Sequence, residues 1–139
     1  MPLAPNLVIE GQKKLVQKTD WFSVLPSLAS SGATRSSGYI TNPYGLGVWI
    51  RVDVTNLSGT PTFTPSVQMQ HAYDADLTIW TAATPISANG GYDYVAYVAD
   101  FTSSAITEDF VFPLPRSWKF TLTYGGTGTA DVVVTARYI

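Results

Sequence analysis

The 139 residues contain no cysteine. That excludes disulfide staples, thiolate metal sites and a cysteine nucleophile. Charge is also scarce. Only 13 % of residues are Asp, Glu, Lys or Arg, against roughly 25 % in ordinary globular chains. The solvent-facing surface must therefore draw on Thr, Ser, Asn, Gln and Gly, a composition that suits strand-rich folds and chains packed against neighbours. Net charge is −2, so no global field attracts nucleic acid or anionic membrane, and neither is expected as a direct partner. No apolar run approaches the roughly 20 residues of a spanning helix. The basic residues of the first 18 follow the apolar stretch instead of preceding it, unlike a secretory leader. The expectation is a protein made and used without export through a signal, which would fit one assembled into a particle in the cytoplasm of the producing cell.

What is present is alternation. Val48, Ile50, Val52 and Val54 alternate with Trp49, Arg51 and Asp53. Trp118, Phe120, Leu122 and Tyr124 alternate with Lys119, Thr121 and Thr123; Ala130, Val132, Val134, Ala136 and Tyr138 alternate with Asp131, Val133, Thr135 and Arg137. Period two is the mark of strands with one buried face. The glycines between the last two runs (Gly125, Gly126 and Gly128) accept positive φ, so residues 114–139 read as a β-hairpin closing the sheet. Further strands are expected at 21–25, ended by Pro26, and at 38–41, 46–55, 63–73, 77–84 and 92–99. Turns or loops are expected at 27–37, 42–45, 56–61, 74–76, 89–91 and 101–109, with a strand end or edge at 110–112 before Pro113. No helix is convincing. Regular spacing of short strands predicts an all-β fold, an antiparallel β-sandwich of jelly-roll or immunoglobulin-like order, over residues 20–139. Residues 1–19 read as an extended arm carrying Lys13, Lys14 and Lys18.

The sequence offers little catalytic chemistry. His71 is the only histidine; on the apolar phase of Val67 and Met69 it reads as a packed or edge residue, with a base or metal ligand as the alternative. Asp74 with Asp76, and Glu108 with Asp109, pair carboxylates that could divide acid and base work or bind calcium. Their places in turns fit backbone capping instead. No nucleophile elbow occurs, and the glycine run lacks the Lys-Ser/Thr ending of a phosphate loop. No catalytic, cofactor-binding or metal-ligating residue is expected. The surplus is aromatic: Trp49, Trp80, Tyr73, Tyr92 and Tyr97 fall partly on outward phases, where they would serve a subunit interface or stack on sugars.

Two stretches carry a family resemblance: GVWIRVDVTNLSGTPTFTP from Gly47 to Pro65, and LPRSWKFTLTYGGTGTADVVVTARYI from Leu114 to Ile139. In these the chain resembles small structural proteins of tailed-bacteriophage virions. The resemblance implies a non-enzymatic head decoration (cement) or accessory subunit, with the major capsid protein or another virion protein as partner and a homo-oligomer, a trimer foremost, as assembly state. A carbohydrate- or receptor-binding module of a head fibre or tail is the alternative. Expected interface residues are Lys13, Lys14, Lys18, Trp21, Trp49, Trp80 and Arg116, with the Arg116 guanidinium stacking on Trp118 or bridging to a neighbouring acid.

Overall fold

The computed structural model describes residues 20–30, 34–43, 47–97, 105–111 and 113–139. The expected arm lies outside them. The described residues form no helix and eight strands: β1 (Phe22–Ser30), β2 (Arg35–Ser36), β3 (Ile40–Thr41), β4 (Val48–Met69), β5 (Leu77–Thr81), β6 (Gly90–Ala96), β7 (Ile106–Phe110) and β8 (Ser117–Tyr138). They make one sheet in the order β1-β8-β4-β6-β7, with β2 and β3 added to β8 and β5 added to β4. The β6–β7 pair is parallel, so the sheet is mixed and not purely antiparallel as expected.

The frame of the molecule is the β4/β8 ribbon. Each strand has 22 residues, and they pair antiparallel from Val48↔Tyr138 to Met69↔Trp118. A straight strand of that length spans about 70 Å. Yet the two ends of β8 meet, with Trp118 Nε1 3.5 Å from Tyr138 Oη. Trp80, on the strand beside the far end of β4, stacks on Phe110 of β7 with ring centres 4.3 Å apart. The ribbon is therefore doubled over into two limbs: residues 48–55 with 131–138, and residues 62–69 with 118–125.

This corrects two sequence expectations. Residues 114–139 do not form a hairpin, and residues 56–61 are not a turn between strands. The turn-forming residues instead make the fold of the ribbon. The register slips between Thr55 and Ser58, as at a β-bulge, which bends a strand and increases its twist. Asn56, Gly59, Gly126 and Gly128 all have positive φ there. A Cβ on Gly128 would run into the carbonyl oxygen of Ser58, so only glycine lets β8 approach β4 this closely. Two side chains brace the bend: Tyr124 Oη donates to the Gly128 carbonyl at 2.7 Å, and Asn56 Nδ2 to Asp131 Oδ2 at 2.7 Å. Pro61 is tolerated because β6 flanks β4 only over 48–54 and β5 only over 66–69. No third strand calls on its missing N–H.

Alternation sets the core as expected. Val48, Ile50, Val52, Val54, Val132, Val134, Ala136 and Tyr138 are buried in the first limb; Phe63, Val67, Trp118, Phe120 and Leu122 are buried in the second. All belong to one cluster. Each large apolar side chain so buried contributes about 1.5–3 kcal/mol.

Elsewhere strands run further than the sequence suggests. β1 continues through Pro26 to Ser30 on the sheet edge, with register slips on both sides of Leu25, the setting that tolerates proline. The Arg35 guanidinium donates to the Pro26 carbonyl and to Val132 O at 2.9 Å, tying this irregular edge to β8. Residues 106–109, read as loop, form β7 together with Phe110 on the opposite edge.

Candidate interaction surface

The outer face of the first limb carries a cluster of polar and aromatic side chains. Alternation turns Trp49, Arg51 and Asp53 of β4 away from the core, and register chooses their neighbours. Arg51 lies between Asp93 of β6 and Thr135 of β8; Trp49 lies between Val95 and Arg137. Asp93 is only 2 % exposed, and a buried carboxylate requires compensation. It receives both: Arg51 Nη1 donates to Oδ1 and Oδ2 at 3.0 Å each, and Trp49 Nε1 donates to Oδ1 at 3.0 Å. Arg51 Nε also reaches Asp53 Oδ1 at 3.2 Å. The guanidinium is thus held by two carboxylates, and the Trp49 indole is locked edge-on by its own N–H.

On this locked base sits Trp21, just before β1. Its ring meets Trp49 edge to face at 5.9 Å and 76°, a favoured aromatic geometry. The Arg137 guanidinium lies 5.7 Å from the Trp21 ring centre, within cation–π range. The Nε of Arg137 is buried without a hydrogen-bond partner. Trp21 remains 40 % exposed and forms one wall of an open groove of about 510 Å³, lined also by Asp20, Phe22, Ile40, Thr41, Pro43 and Tyr138. The groove floor is fixed, because Tyr138 Oη donates to Thr41 O at 2.9 Å and its ring packs on Phe22 at 5.2 Å.

Among the described residues the structure brings two expected interface residues together and places Trp80 and Arg116 elsewhere. Trp21 and Trp49 are in contact. Trp80 is not outward: it is 8 % exposed, stacked on Phe110 and packed 5.3 Å from Tyr94. Its Nε1 donates to Glu108 Oε2 at 3.0 Å. The phase of β5 is opposite to the one expected, because Trp80 and Ala82 bury while Leu77 is exposed. Arg116 is exposed at the bend before β8 and Trp118 is fully buried; the expected stacking of the two gives way to a Trp118 indole directed at Tyr138. Lys13, Lys14 and Lys18 lie outside the described residues. Sequence reasoning missed Arg51, Asp93 and Arg137. Alternation alone marks Arg51 and Arg137 as outward, but only strand pairing shows that they meet Asp93 and the tryptophans.

Among the candidate acid–base and metal groups, Glu108, His71 and Asp76 are engaged structurally. Glu108 Oε1 accepts the Ala83 N–H at 3.0 Å, so both its oxygens are used as a cap. His71 lies beyond the end of β4 and is exposed, not on an apolar strand face. Its Nδ1 accepts the N–H groups of Tyr73 at 3.2 Å and Asp74 at 3.0 Å. Asp76 pairs with Lys119 at 2.9 Å and accepts the Tyr39 hydroxyl. The Lys119 bond first, and the Tyr39 bond second, hold its carboxyl below the usual range. Among the described residues no three His, Asp or Glu side chains gather as metal ligands would.

No protein-family model matches the chain, and no curated protein matches it.

Proposed function

We propose that this protein is a non-enzymatic structural component of a phage particle, a decoration or cement subunit that adheres to the capsid shell. The observation that carries the reading is the Trp21–Trp49–Arg137 cluster on its locked Arg51–Asp93 base. Aromatic residues and arginine are the side chains enriched at interface centres, and their rigidity lowers the entropy lost on docking. The resemblance in residues 47–65 and 114–139 supplies the particle context, and the doubled-over ribbon, with its core between two limbs, supports a jelly-roll-like sandwich. The arm with Lys13, Lys14 and Lys18 extends the adhesive surface. Repeated on a symmetric shell, or within a trimer, modest contacts gain avidity.

The test is co-sedimentation with purified particles. Full-length protein should pellet with the shells, and Trp21→Ala with Arg137→Ala should reduce the bound fraction at least about tenfold, the loss expected of a hot-spot pair at 1.4 kcal/mol per decade. Equal pelleting of the double variant, or recovery of the wild-type chain only as free protein, overturns the proposal.

The glycan-binding alternative loses the shared row of Trp49 and Trp80, since Trp80 is core. What favours it is the open groove beside Trp21. Binding on a glycan array that disappears in Trp21→Ala would replace the shell reading with this one.

A further inference from the structure

We propose that a small cavity where the two limbs part, floored by the Tyr94 hydroxyl, is a binding site for one neutral sugar ring. It shares no lining residue with the groove beside Trp21, and it belongs to the body of the protein whatever surface that body adheres to.

The fold places the cavity. β6 belongs to the first limb, paired with residues 48–54 of β4. Residues 84–87 follow β5 and belong to the second, because Ile86 and Phe63 exchange both backbone hydrogen bonds, at 2.8 and 2.9 Å. Between them, beside Thr107 of β7, lies a half-enclosed space of about 190 Å³. Tyr94, paired with Ile50 on the inward phase of β6, lines it and is only 1 % exposed. Its ring packs 5.3 Å from Trp80, a contact that a phenylalanine would make equally well. The hydroxyl is the part without a structural use. Among the described residues no group hydrogen-bonds to Tyr94 Oη, yet the atom is not sealed from solvent, and its remaining access is to this cavity. Burial first, and the Glu108 carboxylate second, push its pKa well above the usual phenol range, so it keeps its proton and can donate as well as accept. A buried hydroxyl with no partner is costly, and a ligand hydroxyl removes that cost.

The lining selects the chemistry of the occupant. No charged side chain lines the cavity, and the Glu108 carboxylate that acts on Tyr94 has both oxygens engaged, by Trp80 Nε1 and the Ala83 N–H. A neutral ligand is therefore favoured over an ion. Thr84, Ser87 and Thr107, all exposed, line the rim. Tyr92 Oη donates to Ala88 O at 2.9 Å, which leaves its lone pairs able to accept. Hydroxyls that donate and accept suit a ligand whose own groups do both. Pro85, Ile86 and the Tyr92 ring add an apolar wall, the complement of the C–H face of a pyranose. The volume lies below the roughly 300–1,000 Å³ of pockets for drug-sized ligands, which limits the occupant to one small ring. A ligand so small is held weakly, with a Kd of about a millimolar.

The experiment titrates the isotope-labelled full chain with D-glucose, D-galactose, D-mannose and N-acetyl-D-glucosamine, with glycerol as a separate arm, and follows the amide shifts. At least one sugar should move the amides of Ser87, Tyr94 and Thr107 along a common saturation curve, while glycerol at the same concentrations leaves them in place. Tyr94→Phe keeps the ring beside Trp80 and removes only the hydroxyl. It should weaken that binding about tenfold and leave the denaturation midpoint unchanged or raised. Unchanged affinity in Tyr94→Phe overturns the site, and a lowered midpoint does so too, since it shows the hydroxyl bonded within the fold. An equal response to glycerol overturns the sugar assignment. Shifts confined to Trp21 and its groove overturn this cavity in favour of the other face. No response to any of the sugars at about ten times the expected Kd ends the proposal.

Discussion

The two limbs of the β4/β8 ribbon have the same inner face and different outer ones. Inside, both carry alternating large apolar residues in one continuous core. Outside, the second limb presents hydroxyls and amides in short-range bonds: Thr121 Oγ1 to Gln68 Oε1 at 2.9 Å and Gln68 Nε2 to Ser66 Oγ at 3.2 Å. The first limb presents Trp49, Arg51 and Arg137, which gather Trp21 and the buried Asp93 carboxylate from neighbouring segments. One pair of strands thus makes a surface of hydroxyls and amides at one end, where Lys119 is paired with Asp76, and an organised aromatic and charged one at the other. Nothing in forming the fold requires the second arrangement, since the first limb could be solvated with threonines equally well. Asp93 and Arg51 must be desolvated together, a pairing that rarely gains stability over apolar replacements. The difference between the limbs is what singles out the first limb as the surface of the proposed function.

The comparison can be broken where it claims sameness. Phe120→Ala in the second limb and Ile50→Ala in the first should each destabilise by about 2–5 kcal/mol, the cost of an unfilled core cavity. Denaturant titrations in which one substitution costs under about 1 kcal/mol would show that the two inner faces are not equivalent. The contrast is sharpened by the outer faces. Arg51→Met leaves the buried Asp93 carboxylate with the Trp49 N–H alone and should cost about 2–3 kcal/mol, whereas Gln68→Met, on the solvated limb, should cost no more than about 1 kcal/mol. Equal losses would remove the distinction.

Smaller still is the stability effect of Trp21→Ala, under about 1 kcal/mol because the side chain is substantially exposed. Its effect belongs to binding, and a variant that unfolds instead would make Trp21 a core residue. The smallest effect is acid-dependent. The folded-state carboxyl of Asp76 is held below its ordinary 3.8 by Lys119 and Tyr39. Its contribution is therefore complete above the unfolded-state value and is lost as pH falls through the lower folded value. Carboxyl carbon titration by NMR should give an Asp76 midpoint below 3.8, moving up in Lys119→Met. A wild-type midpoint at or above 3.8 would sink the assignment.

Much of this was legible in the residues. Every inward position of residues 48–54 and 118–138 follows from period two, because side chains on a strand can only alternate. What alternation cannot report is pairing. The glycines at 125–128 satisfy a hairpin turn and a bent long strand equally well; the choice fell to the bend because β4, far away in sequence, carries its own irregularity at 55–58 to match. Trp80 misled because its strand is short and its phase is set by stacking on Phe110, a residue that reads only as a strand end or edge. The surface cluster was half visible. Trp21 and Trp49 stand out by type, while Asp93 and Arg137 gain meaning only from the strands beside them.

The doubled ribbon also dictates an order of events. Met69 pairs with Trp118, 49 positions on, and Val48 with Tyr138, 90 positions on. Contacts so distant along the chain make folding slow. Closing the shorter loop is entropically cheaper by about 0.5 kcal/mol, so pairing should begin at the 69/118 end and zip through the glycines towards Tyr138. On a ribosome this cannot finish until residue 138 has emerged. Until then Val48, Ile50, Val52 and Val54 lie on a strand lacking its central neighbour, an edge open to any other chain. The long-range pairing that shapes the mature protein thus leaves its nascent form exposed to aggregation until Tyr138 is available.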